Sequence, residues 1–475
     1  MPFQWRVKQL GGILRGREVS RCLVVASACP AAAATRALVE ASLEKASIGF
    51  SVHCMQDEEW PSAAAVDGLA REARAGGAQA VVGVGADGVL DAAKATALVT
   101  NLLDAGQSVE RFLGAGLDGA APTCSRLPMV AVVTRPTLAG CSGRCLLWND
   151  DQLVPLRIAG TGSHAGIGPG LPPTVAIVDH EHALGFRATR TGLTHEQHNL
   201  GVGASALAAI VDMRLATAST IKAAMLEDAS AVGVTAVRSV LADPVHCAID
   251  GLLATRVAAI ACLDSDATAY AKASTIHALA CAAAGALPPS PARAARCLPY
   301  SSLAAAFLPA VLRAVARSGS EEERAAIASL AAEVLPSTAV GVAAGGGQEA
   351  LELAEYLESR YLELSMPTVR QLLQGGDSTA QQGGDSSTRS GEPEPQPQFV
   401  ANLIAISVWN HALVRRNGAR ALPVWFADVD RILAVVRVAV GDADAAVESG
   451  GGSGGGKWEN VAVDESSSRR PIHNR

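Results

Sequence analysis

The sequence predicts two domains in succession, an α/β domain built on a parallel sheet over residues 1–185 and an all-α domain over residues 186–445. Three observations predict this. Short apolar runs alternate with alanine- and leucine-patterned segments up to about residue 180, and the runs at 129–134 and 174–179 lack the polar alternation of half-exposed strands, which fits a parallel sheet covered on both faces. Beyond about Arg187 the strand signals stop and only helical periodicity remains. Within the first domain, VVGVGADGVLDAAKATALV (Val81 to Val99) reads as a buried strand, a glycine-rich loop and an alanine-rich helix.

Taken in order, RCLVVA (residues 21–26) is a buried strand and residues 31–45 form a helix. A second strand covers residues 50–55 and a second helix residues 62–75, before the central strand and loop. Further strands are predicted at 129–134 and 174–179, both unbroken apolar runs. The Gly-, Pro- and Ser-rich stretch 140–173 between them is irregular or a small hairpin. Helical patterns then cover 204–215, 221–241, 269–284, 302–317, 321–335, 348–364, 400–415 and 426–440. Residues 375–398 have Ala380 as their one apolar residue, so they form no core and are expected to be a disordered insertion in the helical domain. Residues 446–475, with SGGGSGGG at Ser449 to Gly456, are expected to be a flexible tail.

Composition narrows the function classes. With 475 residues and 49% hydrophobic content the chain can bury a large core, and at 4% aromatic that core must be filled by alanine, valine and leucine. A net charge of −7 with scattered lysine and arginine excludes a basic nucleic-acid-binding stripe. No apolar run is long enough to span a bilayer, and Met1 to Gly16 lacks the apolar centre of a signal peptide, so a cytoplasmic protein is expected. The ten cysteines are spread singly. Cys22, Cys262 and Cys281 sit inside apolar patterns as buried reduced thiols, and Cys141 and Cys145 are too isolated for a zinc site.

The chemistry starts at the glycine loop. A strand that ends in Gly83, Val84, Gly85, Ala86, Asp87 and Gly88 and leads straight into a helix presents free backbone N–H groups and the positive end of the helix dipole, a cradle suited to pyrophosphate. A glycine turn between strand and helix also serves purely structural ends. Other segments follow in a set order: VAVVTRPTLAGCSG (Val130 to Gly143), PPTVAIVDHEHAL (Pro172 to Leu184), RTGLTHEQHNL (Arg190 to Leu200), STIHALACAAAGA (Ser274 to Ala286) and LPYSSLAAAFLP (Leu298 to Pro309). LELSMPTVRQL (Leu362 to Leu372) and NGARALPVWFADVDRIL (Asn417 to Leu433) come last.

This succession resembles the iron-containing alcohol dehydrogenases, a superfamily that includes glycerol dehydrogenases and maleylacetate reductases. The resemblance spans nearly the whole chain. It implies the dehydroquinate synthase-like architecture of these enzymes, a Rossmann-like N-terminal domain and an all-helical C-terminal domain, with NAD(P) and a divalent metal in the cleft between them.

Set beside the family pattern, this chain departs at each part of the expected site. The family's Gly-Gly-Gly-Ser phosphate loop stands here as Gly85, Ala86, Asp87 and Gly88, and the Asp87 carboxylate would oppose a pyrophosphate unless it turns outward. Asp91 and Lys94 of the following helix match the family. Pro136, Thr137 and Leu138 stand for Pro-Thr-Thr, and Gly140, Cys141, Ser142 and Gly143 for Gly-Thr-Gly-Ser, so one hydroxyl on the nicotinamide side is missing. Ser27 replaces the aspartate of NAD-preferring members, which removes the charge that repels a 2′-phosphate and leaves NAD and NADP both open. Arg157 matches a lysine near the nicotinamide, or is a surface arginine after a turn.

The metal site departs furthest. The family uses an aspartate, a histidine four residues later on the same helix face, and two further histidines. The corresponding positions are Thr194, His198, His277 and Tyr300. Two histidines alone hold iron or zinc weakly. His195 either joins His198 and His277 in a rearranged site or is a solvated helix residue, and Cys281 takes the place of a proton-handling histidine. The resemblance therefore implies an NAD(P)-dependent oxidoreductase acting on a small alcohol or carbonyl substrate, with His277 and His198 expected to face the cleft together. The segments VVASACP at the end of the first strand and SVHCMQDEEWP at the next one resemble the maleylacetate reductase branch, which also lacks the ligand aspartate. In that reading His198, His277 and Tyr300 supply hydrogen bonds to the substrate oxygen. The alternative is a catalytically inactive relative kept for binding or assembly. A homo-oligomer is compatible with either.

Overall fold

The computed structural model describes residues 7–55, 60–101, 108–113, 126–134, 137, 145–149, 152–155, 174–178, 194–217, 223–245, 275–285, 300–336, 347–369, 371, 404 and 429–440. The expected domain boundary near 185, the insertion 375–398, the tail 446–475, most of the expected helix 400–415 and Cys262 lie outside these residues.

The first part follows the predicted alternation: α1 (Leu10–Arg15), β1 (Arg21–Ser27), α2 (Pro30–Lys45), β2 (Gly49–Met55), α3 (Ala63–Ala75), β3 (Ala80–Gly85), α4 (Asp87–Val99) and β4 (Met129–Val133). A hairpin of β5 (Leu146–Asn149) and β6 (Gln152–Pro155) precedes β7 (Val175–Val178). The short α1 has no counterpart among the expected elements, because its two glycines mask helical periodicity, and the burial of Leu10 and Leu14 against α2 stabilises it.

Five strands form one parallel sheet in the order β2-β1-β3-β4-β7. Alternate residues supply its two faces. Cys22, Val24, Ala26, Val82, Val84, Val130 and Val132 pack with Leu10, Leu14, Val39 and Leu43 of α1 and α2. Leu23, Val25, Val81, Met129, Ala131 and Val133 pack with Leu69, Ala73, Leu90 and Ala93 of α3 and α4. Both faces of β1, β3 and β4 are thus covered by helices, which is why these strands read as unbroken apolar runs, whereas the edge strand β2 alternates exposed and half-buried residues. At Gly83 a Cβ would stand 2.9 Å from Ala93 Cβ and 3.1 Å from Leu90 Cδ2, so glycine there lets α4 lie close on β3.

The described residues from His195 onward are helical: α5 (His195–Thr217), α6 (Ala223–Ala242), α7 (Thr275–Gly285), α8 (Tyr300–Ser318), α9 (Glu321–Val334), α10 (Gln348–Glu363) and α11 (Val429–Val440). One apolar cluster joins them, with Leu207, Val237, Leu279, Phe307, Leu312, Leu330, Leu353 and Val436 fully buried. Trp60 and Leu146 from the first part enter the same cluster. The helix α8 continues past Pro309, which has no N–H to offer the carbonyl of Ala305. The Tyr361 hydroxyl of α10 donates to that carbonyl at 3.0 Å and takes the place of the missing bond.

Candidate functional site

The strand order fixes where a ligand can sit. From β1 the chain crosses to β2 on one side and then to β3 on the other, so the crossovers part above the carboxyl ends of β1 and β3. Such switch points open a crevice at that edge of the sheet. Ser27 ends β1 on one side of it, and Gly85 ends β3 on the other. The helix α4 starts here with Ala86 as N-cap and no side-chain cap on its first turn. Thr134 and Thr137 follow β4 next door and are both buried, with Thr134 N donating to Gly85 O at 3.0 Å.

Within the loop, Ser27 is buried and its Oγ accepts from Cys29 N at 3.0 Å, turning the chain into α2. Asp87 has φ +28°, in the left-handed region that favours glycine. This explains why the resembling family has glycine at that place. The Asp87 carboxylate is turned toward the next strand end, where it accepts from the Thr137 hydroxyl. Asp91, one turn on, is buried and pairs with Lys94, Nζ to Oδ1 2.7 Å, while its Oδ2 accepts from Leu146 N at 3.1 Å. Burial pushes the Asp91 carboxyl up, against the pull of Lys94 and the Leu146 N–H. The pair sits beneath the loop and ties α4 to β5.

Burial also pushes the Cys22 thiol up to about 12 and raises Cys145 well above the ordinary thiol range, so both are inert. Cys281 is buried and in no disulfide, and Cys54 is exposed. Leu138, Cys141 and Arg157 lie outside the described residues.

In the helical part, Thr194 and His198 open α5. Thr194 Oγ1 accepts from Gln197 N at 3.2 Å and Gln197 Oε1 accepts from Thr194 N at 2.8 Å, a reciprocal capping box on an exposed residue. Gln197 Nε2 also donates to the carbonyls of Leu364 and Ser365 at 3.0 and 2.8 Å, docking the turn after α10 on the start of α5. His198 is buried one turn in. On the same helix a Cβ at Gly201 would lie 3.3 Å from Ser302 Oγ and 3.7 Å from Ser302 Cα, so the start of α8, which begins at Tyr300, rests one turn from His198.

The His277 helix begins elsewhere. Both carboxylate oxygens of the buried Asp212 accept from Ile276 N, at 3.2 and 3.1 Å, at the start of α7. Asp212 stands fourteen residues after His198, roughly 21 Å along α5 at about 1.5 Å per residue. The structure therefore sets the backbone of His277 beside the far end of α5 and brings Tyr300, not His277, to the His198 end. Among the described residues no group of three or more His, Cys, Asp or Glu side chains is arranged to hold a metal ion. Asp212 and Ser302 were not among the residues expected from sequence. A lone acid inside the apolar run ALAAIVDMRLA was the signal for the first, and nothing local marks the second.

Comparison with known proteins defines the class first. Solved structures share the fold over nearly the whole chain. Alcohol dehydrogenase ADH/D1 from an archaeal halo-thermophile of a Red Sea brine pool matches with a TM-score of 0.69 at 14% identity, covering 91% of this chain and 94% of that one. The iron-containing alcohol dehydrogenase of Thermococcus thioreducens gives 0.63 at 16%, covering 91% and 96%. Sulfoacetaldehyde reductase from Bifidobacterium kashiwanohense, solved in complex with NAD+, gives 0.59 at 15%, covering 92% and 95%. At such identities the likeness is one of fold: an α/β domain followed by a helical one. A search of curated protein sequences found no match. Residues 3–180, the α/β part of the chain, match the family model of the iron-containing alcohol dehydrogenases.

Proposed function

We propose that the chain is an NAD(P)-dependent oxidoreductase that moves a hydride between a nicotinamide and an alcohol or carbonyl substrate in the manner of the maleylacetate reductase branch. The observation that carries this is the crevice at the switch point, where a helix start without a side-chain cap lies between Ser27 and Thr137. An extended dinucleotide fits that row: adenosine ribose at Ser27, pyrophosphate at Gly85 to Gly88 and nicotinamide toward Thr137. Asp91 and Lys94 hold the loop from below. When bound, the nicotinamide supplies or takes the hydride.

The chain's part is to hold the substrate oxygen as charge develops on it. His198 and Tyr300 are assigned as donors to that oxygen at the near end of α5, and His277, on α7, as a donor at a separate point. The residues present do not fit the family's ion: two imidazoles and two neutral hydroxyls replace a shell with a carboxylate, and the Thr194 hydroxyl is already bonded in the capping box. No step is assigned to a metal. A small-molecule substrate and a cytoplasmic location belong to this reading. Among the described residues no helix is long and apolar enough to cross a membrane.

Titration with NADH and NADPH should give a saturable change in nicotinamide fluorescence. With a turned-over aldehyde, ketone or oxo acid, His198→Ala and His277→Ala should each lower kcat on the order of a hundredfold, the scale of losing one electrophilic donor. If the two residues act on one oxygen, the double variant should lose far less than the product of the two. Multiplying losses would mean that the two act at separate points. A second reading, an inactive relative kept for binding, is favoured by the Asp87 carboxylate in the phosphate loop. Silence toward both cofactors at millimolar concentration would select it.

A further inference from the structure

We infer that Asp87 is the residue that sets what the crevice accepts: its carboxylate, bonded to Thr137, stands as a built-in anion in the path that a dinucleotide's phosphates must cross. The inference rests on the dinucleotide reading above and deepens it. A ligand that runs from Ser27 over the glycine loop to Thr137 has to pass the loop's third position. There the chain carries an aspartate rather than a residue without a side chain, held at φ +28°. A carboxylate at this place had two courses. Turned to solvent, it would leave the cradle open. The structure shows the other course, with Asp87 reaching across to the next strand end and accepting from the Thr137 hydroxyl.

That one contact changes the crevice in three ways. The Thr137 hydroxyl, the donor expected to meet the nicotinamide half of a cofactor, is engaged with a carboxylate. The positive end of α4, which would otherwise favour an incoming phosphate, already has a negative charge beside it. A second carboxylate, Asp91, lies one turn below, close enough that the charge of Asp87 helps to push its carboxyl up. Ligands that bear phosphate are therefore disfavoured at this step, and an uncharged adenosine at Ser27 is not. Dinucleotide binding requires Asp87 to leave Thr137.

The test compares the full-length protein with Asp87→Gly and Asp87→Asn, each titrated with NADH, NADPH and adenosine. Glycine adopts the backbone angle of Asp87 without strain, so the first variant keeps the loop, and unchanged thermal melting checks this. Asparagine keeps the shape and removes the charge. Both variants should bind NADH and NADPH on the order of tenfold or more tightly than the parent, the scale of removing one like charge from a phosphate site, while adenosine binding stays unchanged. Equal affinities in all three proteins would overturn the inference and leave the dinucleotide reading standing. A gain with glycine alone would also overturn it, because backbone freedom and not charge would then govern binding. If no protein binds either cofactor or adenosine, the dinucleotide reading falls and this inference falls with it.

Discussion

The helix after the glycine loop and the helix that opens the helical part begin in opposite ways. At α4 the N-cap is Ala86, which offers no side chain to the first turn, and the carboxylate at the next position reaches across to Thr137. At α5 Thr194 and Gln197 satisfy one another's backbone groups in a closed box. A helix start left without its own cap has N–H groups to give to a ligand, whereas one closed by its own side chains is committed to the fold. Thr194 occupies the place where the resembling family has a ligand carboxylate, and the structure gives its hydroxyl to the helix. The difference separates a position that still suits binding from one that has become structural.

The largest effect on this comparison is expected beneath α4. Asp91→Ala strands the Lys94 ammonium in the interior and should cost about 3–5 kcal/mol in urea unfolding. Adding Lys94→Met should recover most of that loss, because the uncompensated charge is gone. A small cost for the single variant would show that α4 is not held by the pair.

In the helical part the corresponding test concerns Pro309. Tyr361→Phe leaves the Ala305 carbonyl without its donor and should cost about 1–3 kcal/mol. In a Pro309→Ala background the helix regains its own N–H, and the same change should then cost little. An equal cost in both backgrounds would mean that Tyr361 matters through packing alone.

The smallest effect belongs to the cap itself. Thr194→Ala should destabilise by about 1 kcal/mol, and Thr194→Asp should be neutral, since aspartate caps as well as threonine does. The aspartate variant also returns the family's carboxylate to its place. Paired with Tyr300→His, it should raise metal content measured after dialysis against zinc or iron, and no rise would show that positions 194, 198 and 300 do not converge.

The sequence by itself determined the strands of the parallel sheet and, among the described residues, the order of the helices after it, because apolar periodicity is written by local geometry. Residues 21–26 and 50–55 were within one residue of the observed strands at either end, and the hairpin was one of two forms allowed for 140–173. The helix at His195 began nine residues before the expected 204, since its first turns carry polar and glycine residues that dilute the pattern while the capping box fixes the start. What only the tertiary structure decided depends on partners far apart in the chain. Thr137 lies 50 residues from Asp87, Ile276 lies 64 from Asp212 and Ala305 lies 56 from Tyr361. No window of sequence holds both ends of such a bond. The direction of a carboxylate in the phosphate loop, the end of α5 to which the His277 helix is tied and the repair of a proline in mid-helix are each settled by packing, which brings together groups whose polarity must be satisfied once water is gone.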